Sequence, residues 1–132
     1  MNIAIDFQSV VKRYGKVDAL RGVSFSVNRG EMFGLIGPDG AGKTTAIRAI
    51  CGLLHINDGS IQVLGHDPIK QHRELTNSVG YLSQRFSLYG DLSIDENIAF
   101  FAAIHGVRDY KDRRDRLLDG HLPGDHRALR RE

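Results

Sequence analysis

"GLIGPDGAGKTTAIRAI", Gly34 to Ile50, sets four glycines ahead of a lysine and two threonines, between an apolar run and a run with helical spacing. The run that leads into it, "MFGLIG" from Met32 to Gly37, is continuously apolar, as a strand covered on both faces of a parallel sheet tends to be. After the glycines, Ile47, Ile50, Cys51 and Leu54 recur at i, i+3, i+4 and i+7, the spacing of one helix face, and Gly52 stands near the expected helix end. The stretch therefore reads strand, loop, helix. Within it "GPDGAGKT", Gly37 to Thr44, fits G-x-x-x-x-G-K-[ST] in the context that pattern requires. A chain of phosphates is wrapped by several backbone N–H groups, and side chains at Gly37, Gly40 and Gly42 would block that approach or forbid the necessary dihedrals. The first turn of the helix adds unpaired amides and the positive end of its dipole. Lys43 can reach the terminal phosphates, and Thr44 can offer its hydroxyl to Mg²⁺. The bland alternative is a glycine-rich turn that caps a helix and binds nothing.

Outward from this loop, Ile3, Ile5 and Phe7, then Val23, Phe25 and Val27 with Ser24, Ser26 and Asn28 between them, alternate as antiparallel strands with one wet face. "GSIQVLG" and "VGYLSQ" read as two further short strands entered from turn residues. Ser93 followed by Glu96 forms a capping box, so a helix is expected through "IDENIAFFAAIHG". That helix is apolar almost all round, and its outer face is expected to meet something else. From Asp109, "DYKDRRDRLL" reads as a charged helix with Tyr110, Arg114, Leu117 and Leu118 on one side. Asp109 with Arg113 and Asp112 with Arg116 are spaced as i, i+4 pairs.

The totals narrow the classes. A chain of 132 residues, 41% hydrophobic and 26% charged, suits one globular core. Its net charge is +2, and the excess lies after Val107, so the body is neutral. A nucleic-acid face built on bulk charge is therefore not expected. Cys51 is the single cysteine, which excludes an internal disulfide and agrees with a reducing, cytosolic compartment. No apolar run approaches the ~20 residues of a membrane helix, and the start "MNIAIDFQSV" lacks a signal-type core. Any membrane contact is expected to go through a partner. The six histidines lack metal-ligand spacing.

A phosphate loop alone leaves kinases, GTPases, helicases and transport ATPases open. The flanks are more specific. "VVKRYGKVDALRGVSFSVNRGEMFGLIGPDGAGKTTAIRAICGLLHINDGSIQVLGHD" closely resembles the start of the ATP-binding subunit of ABC transporters, and "VGYLSQRFSLYGDLSIDENI" continues the match. The wording around "GPDGAGKTT" and "QRFSLYGDLSIDENI" is most similar to bacterial ABC-2 type multidrug or drug exporters. The likeness runs from about Ile3 to Leu118. It implies an α/β P-loop NTPase core of ABC type, partial, with an N-terminal antiparallel β subdomain and the start of the helical subdomain.

Residue by residue, the resemblance places Tyr14 where the family stacks an aromatic ring on adenine; by itself, Tyr14 is an aromatic at a strand end. Gly37 and the segment Gly40, Ala41, Gly42, Lys43, Thr44, Thr45 correspond to the phosphate-wrapping loop, with Thr44 at the magnesium position. Gln84 matches the glutamine that touches Mg²⁺ and the attacking water; by composition alone it is a polar residue at a strand end. Phe86, Leu88 and Tyr89 fall where the transmembrane permease docks, with burial against the adjacent helix as the alternative. The resemblance implies ATP and Mg²⁺ as cofactors, a permease partner, and a homo- or heterodimer of ATP-binding subunits. It also implies a cytoplasmic location peripheral to the inner membrane.

These 132 residues contain no LSGGQ-like signature, no later apolar strand ending in Asp-Glu, and no histidine placed after such a strand. Residues 1–118 are accordingly expected to form part of an ATP-binding domain, and 119–132, "DGHLPGDHRALRRE", to be an atypical, disordered tail. Lacking a positioned general base, worth about 10² to 10⁴ in rate, the chain by itself is expected to bind ATP without hydrolysing it. Two other classes stay open: a non-catalytic interaction module or remnant, and a soluble ABC-type ATPase of translation or repair.

Overall fold

A computed structural model of the chain describes residues 2–84 and 88–121. They fall into two compact units, 1–82 and 83–132. The first unit is built on β1 (Ile3–Tyr14), β2 (Val17–Asn28), α1 (Lys43–Ile50), β3 (Asp58–Val63) and α2 (His72–Thr76). The strands form one antiparallel sheet in the order β2-β1-β3. The alternation from Val23 to Asn28 carries through: Val27 is buried, Val23 and Phe25 are half-buried, and the serines between them are exposed.

β1 breaks strict alternation for a physical reason. Phe7 and Val10 are both fully buried although three residues apart, a spacing that puts side chains on opposite faces of a regular strand. The register with β2 slips between Phe7 and Val10, and Ser9 takes a φ of 47° there, its N–H donating to Ser24 Oγ at 2.8 Å. This bulge returns Val10 to the face of Phe7. Around these two residues pack Leu20, Ile61, Val63 and Leu75. Phe25 bridges Phe7 and Phe33 in a stack with ring centroids 4.7 and 5.2 Å apart.

α1 is seated on this sheet by its small residues. Ala46 and Ala49 are its buried positions; of the face marked by Ile47, Ile50, Cys51 and Leu54, Ile50 and Leu54 pack half-buried against the core while Ile47 is exposed. Close approach selects the alanines. A Cβ on Gly42, the residue just before the helix, would stand 2.3 Å from the Ala19 carbonyl oxygen and 2.9 Å from Leu20 Cδ2. The other end follows the expectation at Gly52. Leu53 N–H bonds Arg48 O at 2.9 Å and Gly52 N–H bonds Ala49 O at 3.0 Å, a Schellman closure.

Two expected strands do not form. Neither Met32–Gly37 nor Val79–Gln84 has a ladder partner among the described residues, and Met32, Ile36 and Leu82 are 100%, 98% and 93% exposed. An apolar run acquires strand hydrogen bonds only from a neighbour, and composition cannot supply one.

The second unit holds α3 (Ile94–Ile104) and α4 (Lys111–His121). The capping box that opens α3 is complete: Glu96 N–H donates to Ser93 Oγ and Ser93 N–H to Glu96 Oε2. Phe100 and Ile104 remain exposed, as expected of a helix apolar almost all round. In α4 the expected i, i+4 ion pairs give way to a cluster on Arg114, which is 2.7 Å from Asp115 and 3.5 Å from Asp95. Arg116 reaches the Asp112 carbonyl instead of its carboxylate. Leu117 is exposed, so only Tyr110, Arg114 and Leu118 of the expected inner side are half-buried. α4 runs three residues past Leu118; the rest of the expected tail, 122–132, lies outside the described residues. No described helix is long and apolar enough to cross a membrane.

Four stability outcomes follow from this structure. Phe7→Ala should cost about 3–5 kcal/mol, and Met32→Ser should stay within about 0.5 kcal/mol, both measured by urea unfolding. Gly42→Ala must place a Cβ against the Ala19 carbonyl at a φ of 87°, and should cost at least about 1–2 kcal/mol in the same assay. Asp67 accepts N–H bonds from Lys70 and Ile69, which hold its carboxyl below the usual range. Its stabilising contribution is present above the unfolded value of about 3.9 and is lost as pH falls through the lower folded value. The stability gap between the parent and Asp67→Ala should therefore narrow on acidification.

Candidate functional site

The first turn of α1 gathers most of the candidate residues. Gly40 and Gly42 are both left-handed, with φ of 79° and 87°, while Ala41 between them is not. Such alternation turns successive N–H groups toward one side of a loop. Gly42 is the N-cap and has no side chain to close the helix end, and the first turn carries no acidic residue. Ala46 N–H bonds Gly42 O at 2.9 Å, so the helix begins in good order. The amides of Lys43, Thr44 and Thr45 find no acceptor among the described residues. Most helices satisfy these groups with a Ser, Thr, Asp or Asn side chain. Here the amides and the positive end of the dipole are left to something external and anionic.

Lys43 is folded back over the loop, its Nζ donating to the carbonyls of Gly37 and Pro38 at 2.6 Å each. An ammonium has three donors, so one remains for an oxygen outside the protein. Ala41 N–H bonds Pro38 O at 3.2 Å, which closes the loop on itself. The glycines are needed for different reasons. A Cβ at Gly37 would press on Ala41 Cβ at 3.3 Å, one at Gly40 would meet open space, and Gly42 is required by its approach to β2. That packing demand was not visible in the motif, which points only to the ligand side of the loop. Thr44 is exposed and Thr45 half-buried.

Tyr14 ends β1 with 49% of its surface exposed, and Lys12 Nζ lies 5.0 Å from its ring centroid. The strand end beneath it is fastened by Asn57, whose N–H bonds Val11 O at 2.8 Å and whose Oδ1 accepts Arg13 N–H at 2.8 Å. Asn57 carried no mark in the sequence beyond its place in a turn.

Gln84 belongs to the second unit, where it is an exposed residue at a bend. Of the apolar residues that follow it, Phe86 lies outside the described residues, and Leu88 and Tyr89 are 46% and 50% exposed. Tyr89 meets Phe100 edge-on at 4.9 Å, so burial against the helix is partial. Its backbone is held by Asn97, which is 5% exposed on α3. Asn97 Oδ1 accepts Tyr89 N–H at 2.9 Å, while its Nδ2 donates toward the carbonyls of Tyr89, Leu92 and Ser93 at 3.0–3.1 Å. An asparagine inside an apolar helix was the one signal that could have found this clamp. Cys51 is half-buried, and burial pushes its thiol up from the ordinary range. No group of acidic, cysteine or histidine side chains among the described residues could hold a metal ion.

Residues 20–130 match the family model described as ABC transporter. The chain is 41% identical over 104 residues to the probable multidrug ABC transporter ATP-binding protein YbhF of Escherichia coli (strain K12), covering 79% of this chain and 18% of that protein. It is 40% identical over 114 residues to the Nod factor export ATP-binding protein I of Burkholderia thailandensis, covering 86% and 38%. A solved structure of the ATP binding subunit of an ABC transporter superposes with a TM-score of 0.75 at 30% identity, over 88% of this chain and 49% of that one. The chain thus spans less than half the length of each of these relatives. With the family match covering most of its length and the partial P-loop NTPase fold reproduced, the chain belongs to the ABC transporter family.

Proposed function

We propose that this chain is the nucleotide-binding component of an ABC-type exporter, holding Mg·ATP to power transport. The observation that carries this reading is the uncapped, acid-free first turn of α1 with Lys43 folded over it. The glycine loop from Gly40 through Ala41 to Gly42 and the open amides of Lys43, Thr44 and Thr45 wrap the phosphates, and the third donor of Lys43 binds a terminal oxygen. Tyr14 is the platform for the adenine ring, a contact worth about 1–3 kcal/mol. Magnesium, when bound, neutralises charge on the terminal phosphates. Thr44 would hold it through its hydroxyl, a hard oxygen donor of the kind this cation takes.

The segment Phe86, Leu88 and Tyr89 docks the transmembrane permease, which places the subunit at the cytoplasmic face of the membrane. The half-exposed Leu88 and Tyr89, beside the uncovered Phe100 and Ile104, support this assignment. Two ATP-binding subunits close around nucleotide in the assembled transporter.

The bare side chains of Met32, Ile36 and Leu82 favour a second reading, a non-catalytic fragment that serves as an interaction module. Thermal unfolding with and without nucleotide separates the two. A binding-competent loop should gain about 2.7 kcal/mol at a hundredfold excess of Mg·ATP over its Kd, less without magnesium. A collapsed loop gains nothing. Lys43→Ala should weaken ATP binding about ten- to a hundredfold by calorimetry; equal affinity in variant and parent removes Lys43 from the site.

A further inference from the structure

We propose that Lys12 is a positioning residue for the nucleotide base, an inference that rests on the reading of Tyr14 as the base platform. The Lys12 ammonium stands 5.0 Å from the centroid of the Tyr14 ring. The negative face of an aromatic ring attracts a cation at that distance. A half-exposed ring at a strand end otherwise keeps rotamer freedom that a stacking base must freeze on arrival. With Lys12 on one face, the ring is ordered beforehand and only the opposite face is open to a purine.

The backbone beneath supports such a role. β1 is the central strand, and its end is tied on one edge by the two Asn57 hydrogen bonds. On the other edge Arg13 Nε pairs with Asp18 Oδ1 at 3.2 Å across the β1-β2 hairpin. Lys12 itself has no carboxylate within ion-pair distance among the described residues, so the ring is its described partner. Free movement is thus confined to two side chains, and each restrains the other. Lys12 touches neither phosphate nor magnesium in this arrangement; it acts through Tyr14.

The test is calorimetric titration of the full chain and its Lys12→Met, Lys12→Arg, Tyr14→Ala and Lys12→Met/Tyr14→Ala variants. The titrants are Mg·ATP and inorganic tripolyphosphate, which has no base. Lys12→Met should bind Mg·ATP about two- to fivefold more weakly and tripolyphosphate as the parent does, with Lys12→Arg restoring the ATP affinity. In the Tyr14→Ala background, Lys12→Met should cause no further loss. Equal weakening of tripolyphosphate would show a plain charge effect on phosphates and overturn the inference. So would additive losses in the double variant, or an unchanged ATP affinity in Lys12→Met. Tyr14→Ala leaving ATP affinity intact would instead remove the base platform, a failure of the underlying reading that is visible before Lys12 is considered. Melting temperatures of all variants should match the parent, since both side chains lie at the surface.

Discussion

The contact on which the rest depends is the approach of Gly42 to the Ala19 carbonyl. Only a residue without a Cβ lets the helix start so close to β2. That closeness places Ala46 and Ala49 in the core, with Ile50 half-buried against it and Ile47 exposed. It also leaves the N-cap without a side chain, because the same glycine must fill that position. The vacancy of the cap and the tightness of the seat are therefore one constraint. The anion-directed amides of Lys43, Thr44 and Thr45 are its consequence.

In the proposed nucleotide site, the sheet would hold the base as the helix would hold the phosphates. β1 runs from the core of the first unit at Phe7 to its surface at Tyr14, and the bulge at Ser9 keeps Val10 buried on the way. Without the bulge, each side chain beyond it would change face, Tyr14 included. Asn57, the residue just before β3 begins, then holds the last residues of the strand. A platform at a strand end is useful only if the strand end is stiff.

The second unit solves a different problem. Its loop after Gln84 carries apolar side chains that are incompletely buried, and such a loop needs an internal fastening to present them in one shape. Asn97 supplies it by spending its whole amide on the backbone of Tyr89, Leu92 and Ser93. A buried amide so fully paired avoids the cost of an unpaired polar group and makes the loop part of α3.

Much of this was written locally. The antiparallel alternation around Phe25, the capping box of Ser93 and Glu96, the αL closure at Gly52 and the phosphate loop itself each depend on residues within a few positions of one another, so spacing alone revealed them. What spacing could not reveal was who stands opposite. Met32–Gly37 has the composition of a buried strand but no ladder partner among the described residues, Ile47 has the helical period but is exposed, and the charges of α4 gather on Arg114, which meets Asp95 of another helix as well as its neighbour Asp115. The clamps at Asn57 and Asn97 and the seat of Gly42 on Ala19 join positions distant in the chain or hidden by ordinary composition. Backbone dihedrals and caps are near-neighbour physics, whereas burial and pairing are settled only when the chain has met itself in three dimensions.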